Sequence, residues 1–360
     1  MMTPRERVLT AMKRQVPDKV PRRLEYGSFI KPLWEIFYQK TGATDPEEYF
    51  TYEIRNVGFK PTGKHRKKEL SKYLPENLEE NCFIDLEWGN INEKGHQENV
   101  YRIVQCALEN AETVYDIDEY PMPDILSNYR WEHVKDKTTE LHRRNLAVMG
   151  FMSQTIFEVA WGVRGFENFL ADMYINQEMT NLLVSKITDI RCSQARIFAE
   201  ANVDVLRLGD DVGTERAMMI SPEMFRKWLK PGYIKIINAA KEVNPDILIF
   251  FHSDGDCQEI IPDLIEIGTD ILNPVQPECM DPAEIKKQYG DKLAFWGTIG
   301  TQTTMPFGTP DDVRQAVKER IETVGAGGGL LLSPTHLLQV ETPWENIIAF
   351  FDAVDEFGYY

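Results

Sequence analysis

Short apolar runs alternate along this chain with longer stretches in which apolar residues recur every three or four positions. From residue 145 onward the alternation is regular. The runs Leu146–Met152, Val203–Leu208, Ile247–His252, Asp270–Asn273, Leu293–Gly297 and Gly329–Ser333 are apolar or nearly so, and turn residues bound them. That is the pattern of strands buried on both faces. Between them, helical spacing predicts helices over Gly165–Phe198, Pro222–Val243, Gln258–Ile267, Asp281–Gln288 and Asp311–Val324. Repeated strand-then-helix units with short connections imply parallel strands and right-handed crossovers.

Further strand candidates near Arg22–Tyr26 and Phe83–Trp88 bring the total to about eight, the number that closes a TIM barrel. A doubly wound open sheet is the competing arrangement, but no G-x-G-x-x-G follows a strand. Gly325-Ala-Gly-Gly-Gly329 precedes its strand and reads as a helix-ending loop. Residues 3–16 predict an amphipathic helix, with Thr3 as N-cap, Pro4 at the first helical position and Val8, Leu9 and Met12 as its apolar stripe. Residues from roughly 36 to 145 are polar and irregular, an insertion-like excursion. The expectation is an α/β fold: one (β/α)8 TIM-barrel domain over 1–360 with an N-terminal helical extension.

Composition narrows the function classes. The chain has 360 residues, 42% hydrophobic, ample for one large core. A formal net charge of −17 argues against nucleic acid or an anionic membrane as partner. No stretch is long and apolar enough to span a bilayer. The start, Met1-Met-Thr-Pro-Arg-Glu-Arg-Val, lacks the apolar region of a secretory signal. Cys82, Cys106, Cys192, Cys257 and Cys279 are scattered without a CxxC, which fits a reducing cytoplasm. The basic stretch Lys60–Lys68 reads as a solvated loop. No feature of the sequence sets an oligomeric state.

In parallel α/β folds, chemistry is done at the C-terminal ends of the strands. Those ends carry Glu25 and Tyr26; Asp85, Glu87 and Trp88; Gln154 and Glu158; Asp210 and Asp211; His252 and Asp254; Asn273 and Gln276; Thr335 and His336. His252, Asp254 and His336 form the sharpest constellation. Two imidazoles and a carboxylate suit zinc with an open fourth position, or general acid–base work. Asp210-Asp211 are adjacent carboxylates that can share a proton, orient a substrate or accept from loop amides.

Several stretches resemble the uroporphyrinogen decarboxylase superfamily, whose known members are TIM barrels. They are Arg5-Glu-Arg-Val-Leu-Thr-Ala-Met12 with Pro17-Asp-Lys-Val-Pro21, Ile261-Pro-Asp-Leu-Ile265, Asp270-Ile-Leu-Asn-Pro-Val-Gln-Pro277, Phe295-Trp-Gly-Thr-Ile-Gly300 and Pro343-Trp-Glu-Asn346. True decarboxylases carry a P-V-W-x-M-R-Q-A-G-R motif whose arginines grip the porphyrinogen carboxylates. Here Arg22-Arg-Leu-Glu-Tyr-Gly-Ser-Phe-Ile-Lys-Pro-Leu-Trp34 stands in its place. The other branch comprises corrinoid-dependent methyltransferases. Those acting on coenzyme M hold zinc through H-x-C and a later Cys. The matching positions are His252-Ser-Asp254 and Ser333-Pro-Thr-His336, with harder ligands at both cysteine positions. Hard ligands suit an oxygen substrate better than a thiol.

The resemblance therefore implies a substrate-side methyltransferase similar to aryl methyl ether O-demethylases. It would pass a methyl group from a methoxylated, aromatic donor to the cob(I)alamin of a separate corrinoid protein. Zn2+ on His252, Asp254 and His336 would polarise the ether oxygen, or His252 or Asp254 would protonate it. Asp210 and Asp211 belong to the same catalytic set. Asp210, Asp211, Glu87 and Tyr26 would orient polar groups, Trp88, Phe151 and Trp161 would face the ring, and Gln154, Glu158, Asn273 and Gln276 complete the substrate-binding set. The alternatives are decarboxylation of a tetrapyrrole, methylcobamide:thiol methyl transfer, and a non-catalytic corrinoid- or small-molecule-binding barrel.

Overall fold

The computed structural model describes residues 1–27, 29–95 and 101–360. Residues 96–100, inside the expected excursion, and Ser28 lie outside the described residues. Among those described, the strands are β1 (Ile54–Val57), β2 (Cys82–Ile84), β3 (Ile91–Lys94), β4 (Tyr101–Gln105), β5 (Ala147–Phe151), β6 (Val205–Gly209), β7 (Leu248–His252), β8 (Ile271–Asn273), β9 (Ala294–Ile299) and β10 (Leu330–Pro334). Seven of them form a curled parallel sheet in the order β1-β5-β6-β7-β8-β9-β10. All six runs read from residue 145 onward are strands of this sheet.

Both earlier strand candidates need correction. Phe83–Trp88 is not a stave of the main sheet; its first residues pair in the small antiparallel sheet β2-β3-β4. β1, inside the expected excursion, holds the place beside β5 instead. Arg22–Tyr26 reaches the sheet only through a single parallel bridge, Arg22 to Leu332. The amide of Arg23 donates to the Leu332 carbonyl (3.1 Å), and that of Leu332 donates to the Pro21 carbonyl (2.9 Å). The chain then turns into a one-turn helix at Glu25–Gly27, with Tyr26 at φ +60°, and leaves the extended path. Across the gap to β1 the contacts run through a side chain: Arg23 Nη1 donates to Asn56 Oδ1 (3.1 Å), and Asn56 Nδ2 donates to the Tyr26 carbonyl (3.3 Å). The backbone ladder thus counts seven strands rather than eight.

Alternation along the strands sorts their side chains into two cores. One is enclosed by the curl and holds Ile54, Ala147, Met149, Val205, Leu248, Phe250, Ile271, Ala294, Trp296 and Leu331. The other lies between sheet and helices and takes the intervening residues, among them Val148, Leu206, Leu208, Ile249, Phe251, Leu272 and Leu332. Helix Pro4–Met12, shorter than the predicted 3–16, closes the N-terminal end of the curl. Thr3 and Glu6 form its capping box, and Val8, Ala11 and Met12 are fully buried in the enclosed core. Helices Phe157–Arg164 and Trp344–Phe357 were not read from the sequence, and Asn176 divides the predicted Gly165–Phe198. Among the described residues no helix is long and apolar enough to cross a membrane.

Candidate active site

Strand parity decides which polar residues reach the mouth of the curl. In β7, Leu248 and Phe250 point into the enclosed core, so the same parity carries inward His252 and then Asp254. In β6, Val205 points inward, so Arg207, Gly209 and Asp211 follow it, while Asp210 turns to the helix layer. Gly209 must be small. A Cβ there would sit 2.5 Å from the His252 carbonyl oxygen and 2.6 Å from the His252 Cβ.

Asp211, His252 and Asp254 bring one ligand atom each to within 4.8 Å of one another. His252 Nε2 lies 3.6 Å from Asp211 Oδ1 and 3.9 Å from Asp254 Oδ1. The Asp254 amide donates to Asp211 Oδ1 (2.9 Å), which ties the two strand ends together. The other imidazole nitrogen, Nδ1, bonds to Asn273 Oδ1. Asn273 Nδ2 donates to the Trp296 carbonyl (2.8 Å), so Oδ1 accepts and Nδ1 carries the proton. Nε2 therefore presents a lone pair to the two carboxylates. Burial, then the positive charge of Arg207, pushes the His252 imidazole down to about 4, against the pull of Asp211 and Asn273. Burial, then the negative charges of Asp211 and Glu25, lifts Asp254 to about 8. Asp254 Oδ1 is buried without a hydrogen-bond partner among the described residues.

These features fit a divalent cation. The donor set is two carboxylates and one neutral imidazole, oriented by a second hydrogen bond as in known metal sites. The trio differs from the expected ligand set. His336 Nε2 is 3.9 Å from Asp254 Oδ2 but stands outside the group, 3.4 Å from the Tyr26 hydroxyl and edge-on to the Tyr26 ring. Asp211 takes the expected place of His336.

Of the roles expected for Asp210, its contacts match one, accepting from loop amides. It is fully buried, with Oδ1 accepting from the amides of Thr155 and Glu158 (both 3.0 Å) and Oδ2 from Ile156 (2.7 Å) and the Tyr233 hydroxyl. Helix Phe157–Arg164 has no side-chain cap of its own at Ile156. Asp210 supplies one from the neighbouring strand end. The adjacent carboxylates do not share a proton, because consecutive residues face opposite sides.

Beside the trio lies a cavity of about 940 Å³, between the ends of β5 and the small sheet. Phe83, Asp85, Glu87, Trp88, Asn92 and Tyr101 roof it, while Phe151, Gln154, Glu158, Trp161 and Arg191 form the other wall. Glu158 joins the two sites. Its Oε2 accepts from the Asp211 amide (3.1 Å) and its Oε1 from Gln154 Nε2 (3.2 Å). Burial, with Asp211 and Asp210 adding negative charge, lifts it to about 8. Glu87 and Trp88 do line the site, though from the roof and not from a barrel strand. Glu87 is paired with Arg130 through both oxygens at 2.9 Å. Phe151 lines the cavity and stands edge-on to Tyr26. Asn273 and Gln276 are supports: the first orients His252, and the second accepts from the Gly255 amide at 2.8 Å and holds the Asp254 turn. Sequence reasoning missed Arg207, 3% exposed, whose guanidinium carbon lies 4.6 Å from the Phe151 ring centre and 5.3 Å from that of Tyr26. Its inward parity with Val205 was the available signal.

Comparison with known proteins bears on this arrangement. A family model described as uroporphyrinogen decarboxylase (URO-D) matches residues 105–357. Uroporphyrinogen decarboxylase from Chlorobium phaeobacteroides is 25% identical over 217 residues, 58% of this chain and 59% of that protein. Methylcobamide:CoM methyltransferase MtaA from Methanosarcina barkeri is 29% identical over 170 residues, 47% of either chain. The chain thus spans between about half and three fifths of the length of these two relatives. A solved methyltransferase structure from Methanosarcina mazei has the same fold, with a TM-score of 0.72, 18% identity and 99% of both chains covered.

Proposed function

Since the chain belongs to the uroporphyrinogen decarboxylase family, and one of its relatives is a methylcobamide:CoM methyltransferase, we propose that it transfers a methyl group from a methoxylated aromatic donor to the cob(I)alamin of a separate corrinoid protein. The observation that carries this reading is the trio: a neutral imidazole with its lone pair turned to two carboxylates, beside an aromatic-lined cavity. Decarboxylation of a tetrapyrrole bearing many carboxylates asks for cations at the mouth. The arginines nearest the family's motif position are spent elsewhere. Arg22 pairs with Asp355 (2.9 Å), and Arg23 is fully buried, donating to the Leu24 carbonyl and Asn56.

Asp211, His252 and Asp254 would hold a divalent cation, zinc being the one the resemblance implies. Bound there, it supplies Lewis acidity to the ether oxygen. A corrinoid held by its own protein would supply the electron pair that takes the methyl carbon, the bonding pair of the carbon–oxygen bond leaving on the ether oxygen. This chain's residues do the remainder. Trp88, Trp161 and Phe151 hold the ring so that the methyl carbon faces outward for in-line attack. The leaving oxygen needs a proton. His252 cannot give one, because its only N–H is committed to Asn273. Asp254, as a ligand, would hold the cation as a carboxylate and has no proton to give; the Glu158 carboxyl, hydrogen-bonded to the Asp211 amide and lifted to about 8 by burial and the charges of Asp211 and Asp210, is the donor beside the trio. The small sheet roofs the cavity and excludes water from the ether.

Zinc-supplemented expression followed by metal analysis should find about one ion per chain, and less than about 0.2 in His252→Ala and Asp254→Ala. In anaerobic assays with free cob(I)alamin, methoxyaromatics should yield methylcobalamin, and both variants should lose at least a hundredfold in rate, the scale of one catalytic group. Release of carbon dioxide from uroporphyrinogen, with no methylcobalamin from any methoxy donor, would overturn the reading.

A further inference from the structure

Arg191 sits on the cavity wall, in helix Gln177–Glu200, and is 5% exposed. Its Nε donates to the Thr155 carbonyl (3.1 Å), Nη1 to Gln194 Oε1 (2.5 Å) and Nη2 to the Gln154 carbonyl (2.6 Å). Its guanidinium carbon lies 5.5 Å from the Trp88 ring centre. Every one of these partners is neutral. Among the described residues, no carboxylate oxygen comes within the 4.0 Å of an ion pair. The acidic groups whose charge reaches it, Glu87 and Asp210, are already committed, the first to Arg130 and the second to backbone amides and Tyr233. A buried charge is costly unless a partner compensates it. Arg191 differs here from Arg130 and Arg164, which are equally buried but paired with Glu87 and Asp172.

Other polar atoms around the cavity lack a hydrogen-bond partner altogether. Trp161 Nε1 is a buried donor without an acceptor, and Asn92 Oδ1 a buried acceptor without a donor. Both belong to residues lining the cavity. Together with Arg191 they describe an occupant that brings an anionic acceptor to one wall and a hydroxyl-type donor to another.

We propose that Arg191 anchors a carboxylate on the methyl donor, so that the substrates are methoxylated aromatic acids rather than neutral ethers. The inference rests on the methyl-transfer reading of the same cavity. A guanidinium Nη carries two N–H groups, so Nη1 and Nη2 each keep one beyond the bonds to Gln194 and Gln154. The carboxylate would accept from these. Arg191 is already held by two backbone carbonyls, so its fork is set before the substrate arrives.

Calorimetric titration of the full chain with 3-methoxybenzoate and the isosteric 3-methoxybenzamide tests the anchor without any chemistry. The acid should bind about tenfold to a hundredfold more tightly than the amide, as a charge-assisted hydrogen bond implies. Arg191→Gln should erase that preference. Because Arg191 also ties residues 154–155 to its helix, a second variant guards against misfolding. Gln194→Glu keeps the guanidinium and its backbone bonds but sets a carboxylate on Nη1, and should erase the preference with the melting temperature retained. Equal binding of acid and amide by the natural chain overturns the anchor, as does a preference that survives in folded Gln194→Glu. A tight, Arg191-dependent acid preference without methylcobalamin formation would leave the anchor standing and remove the transfer reading. Transfer from neutral ethers with the kcat/KM of acids would do the opposite.

Discussion

Asp210 and Asp211 are chemically identical neighbours with different work, and only their parity separates them. Asp210 is a helix cap made by a distant strand; Asp211 faces the mouth. Asp210→Asn should therefore cost stability first. It sets an NH2 group against two of the four hydrogen-bond donors, and each buried donor left unpaired costs about 1–3 kcal/mol. Thermal unfolding should show the loss, with Tyr233→Phe giving a smaller one. A stable Asp210→Asn protein with no activity would instead restore the catalytic role that sequence position suggested. The composition of the trio was nearly legible in the sequence: His252, Asp254 and Asp211 all stood out as polar residues ending apolar runs. The sorting of Asp210 from Asp211 was not. Consecutive strand residues face opposite sides, and the predicted strand stopped at Leu208 where the observed one runs on to Gly209, so which of the next two residues turns to the mouth was not fixed. Nor could the sequence show the proton on His252 Nδ1, which depends on Asn273, 21 positions away.

At the scale of elements, the roof over the cavity was the least legible part. β1 reads Ile-Arg-Asn-Val and hides its buried character behind Arg55, which is 5% exposed and donates to the carbonyls of Tyr52 and Glu47. β2 is three residues long, too short to set a period. Even so, Glu87 and Trp88 were singled out as site residues and do line the cavity, for a different reason from the one first given. The roof is pinned near Asp124, which accepts from the Thr62 hydroxyl (2.7 Å) and the Tyr129 hydroxyl (2.9 Å) and pairs with Arg130, the partner of Glu87. Burial alone would raise its pKa, but these bonds with the charges of Arg130 and His65 bring it from 3.8 down to about 2. A carboxyl lowered on folding contributes stability above its unfolded value and loses it as pH falls through the folded one. Protection of residues 60–66 and 121–130 against hydrogen exchange should hold above pH 4, then fall between about pH 4 and 2. In Asp124→Asn it should be lower throughout and nearly flat over that window. An unchanged profile in the variant would show that Asp124 does not pin the roof.

For the whole molecule, the division of labour runs along the strands. One end of the curl is stoppered by helix Pro4–Met12, and Arg5 fastens it by an ion pair to Asp204 (2.7 Å), which also meets His142 (3.0 Å) and the Val148 amide (2.9 Å). The other end carries the trio and the cavity. The regular apolar alternation made the parallel strands and their helices legible from residue 145 onward, but it led to an expected closed eight-stranded barrel; the seam between Arg22 and β10 was hidden, because a single bridge leaves no periodic trace. That seam bears on how the protein is made. The backbone of residues 19–23 is held by Leu332, Gly358 and Tyr359, and the side chains of Lys19 and Arg22 by Asp355; Arg22 and Asp355 stand 333 positions apart. On the ribosome, the earliest part of the sheet must wait for the last, and contacts of such separation are slow to form. Until β10 emerges, both margins of the sheet are bare, the condition in which strands recruit other chains. Ribosome-stalled chains ending near residue 325 should therefore be cut by protease within the first strands, while released full-length chains resist. Equal resistance of the two would mean that the sheet is secure before its seam is sewn.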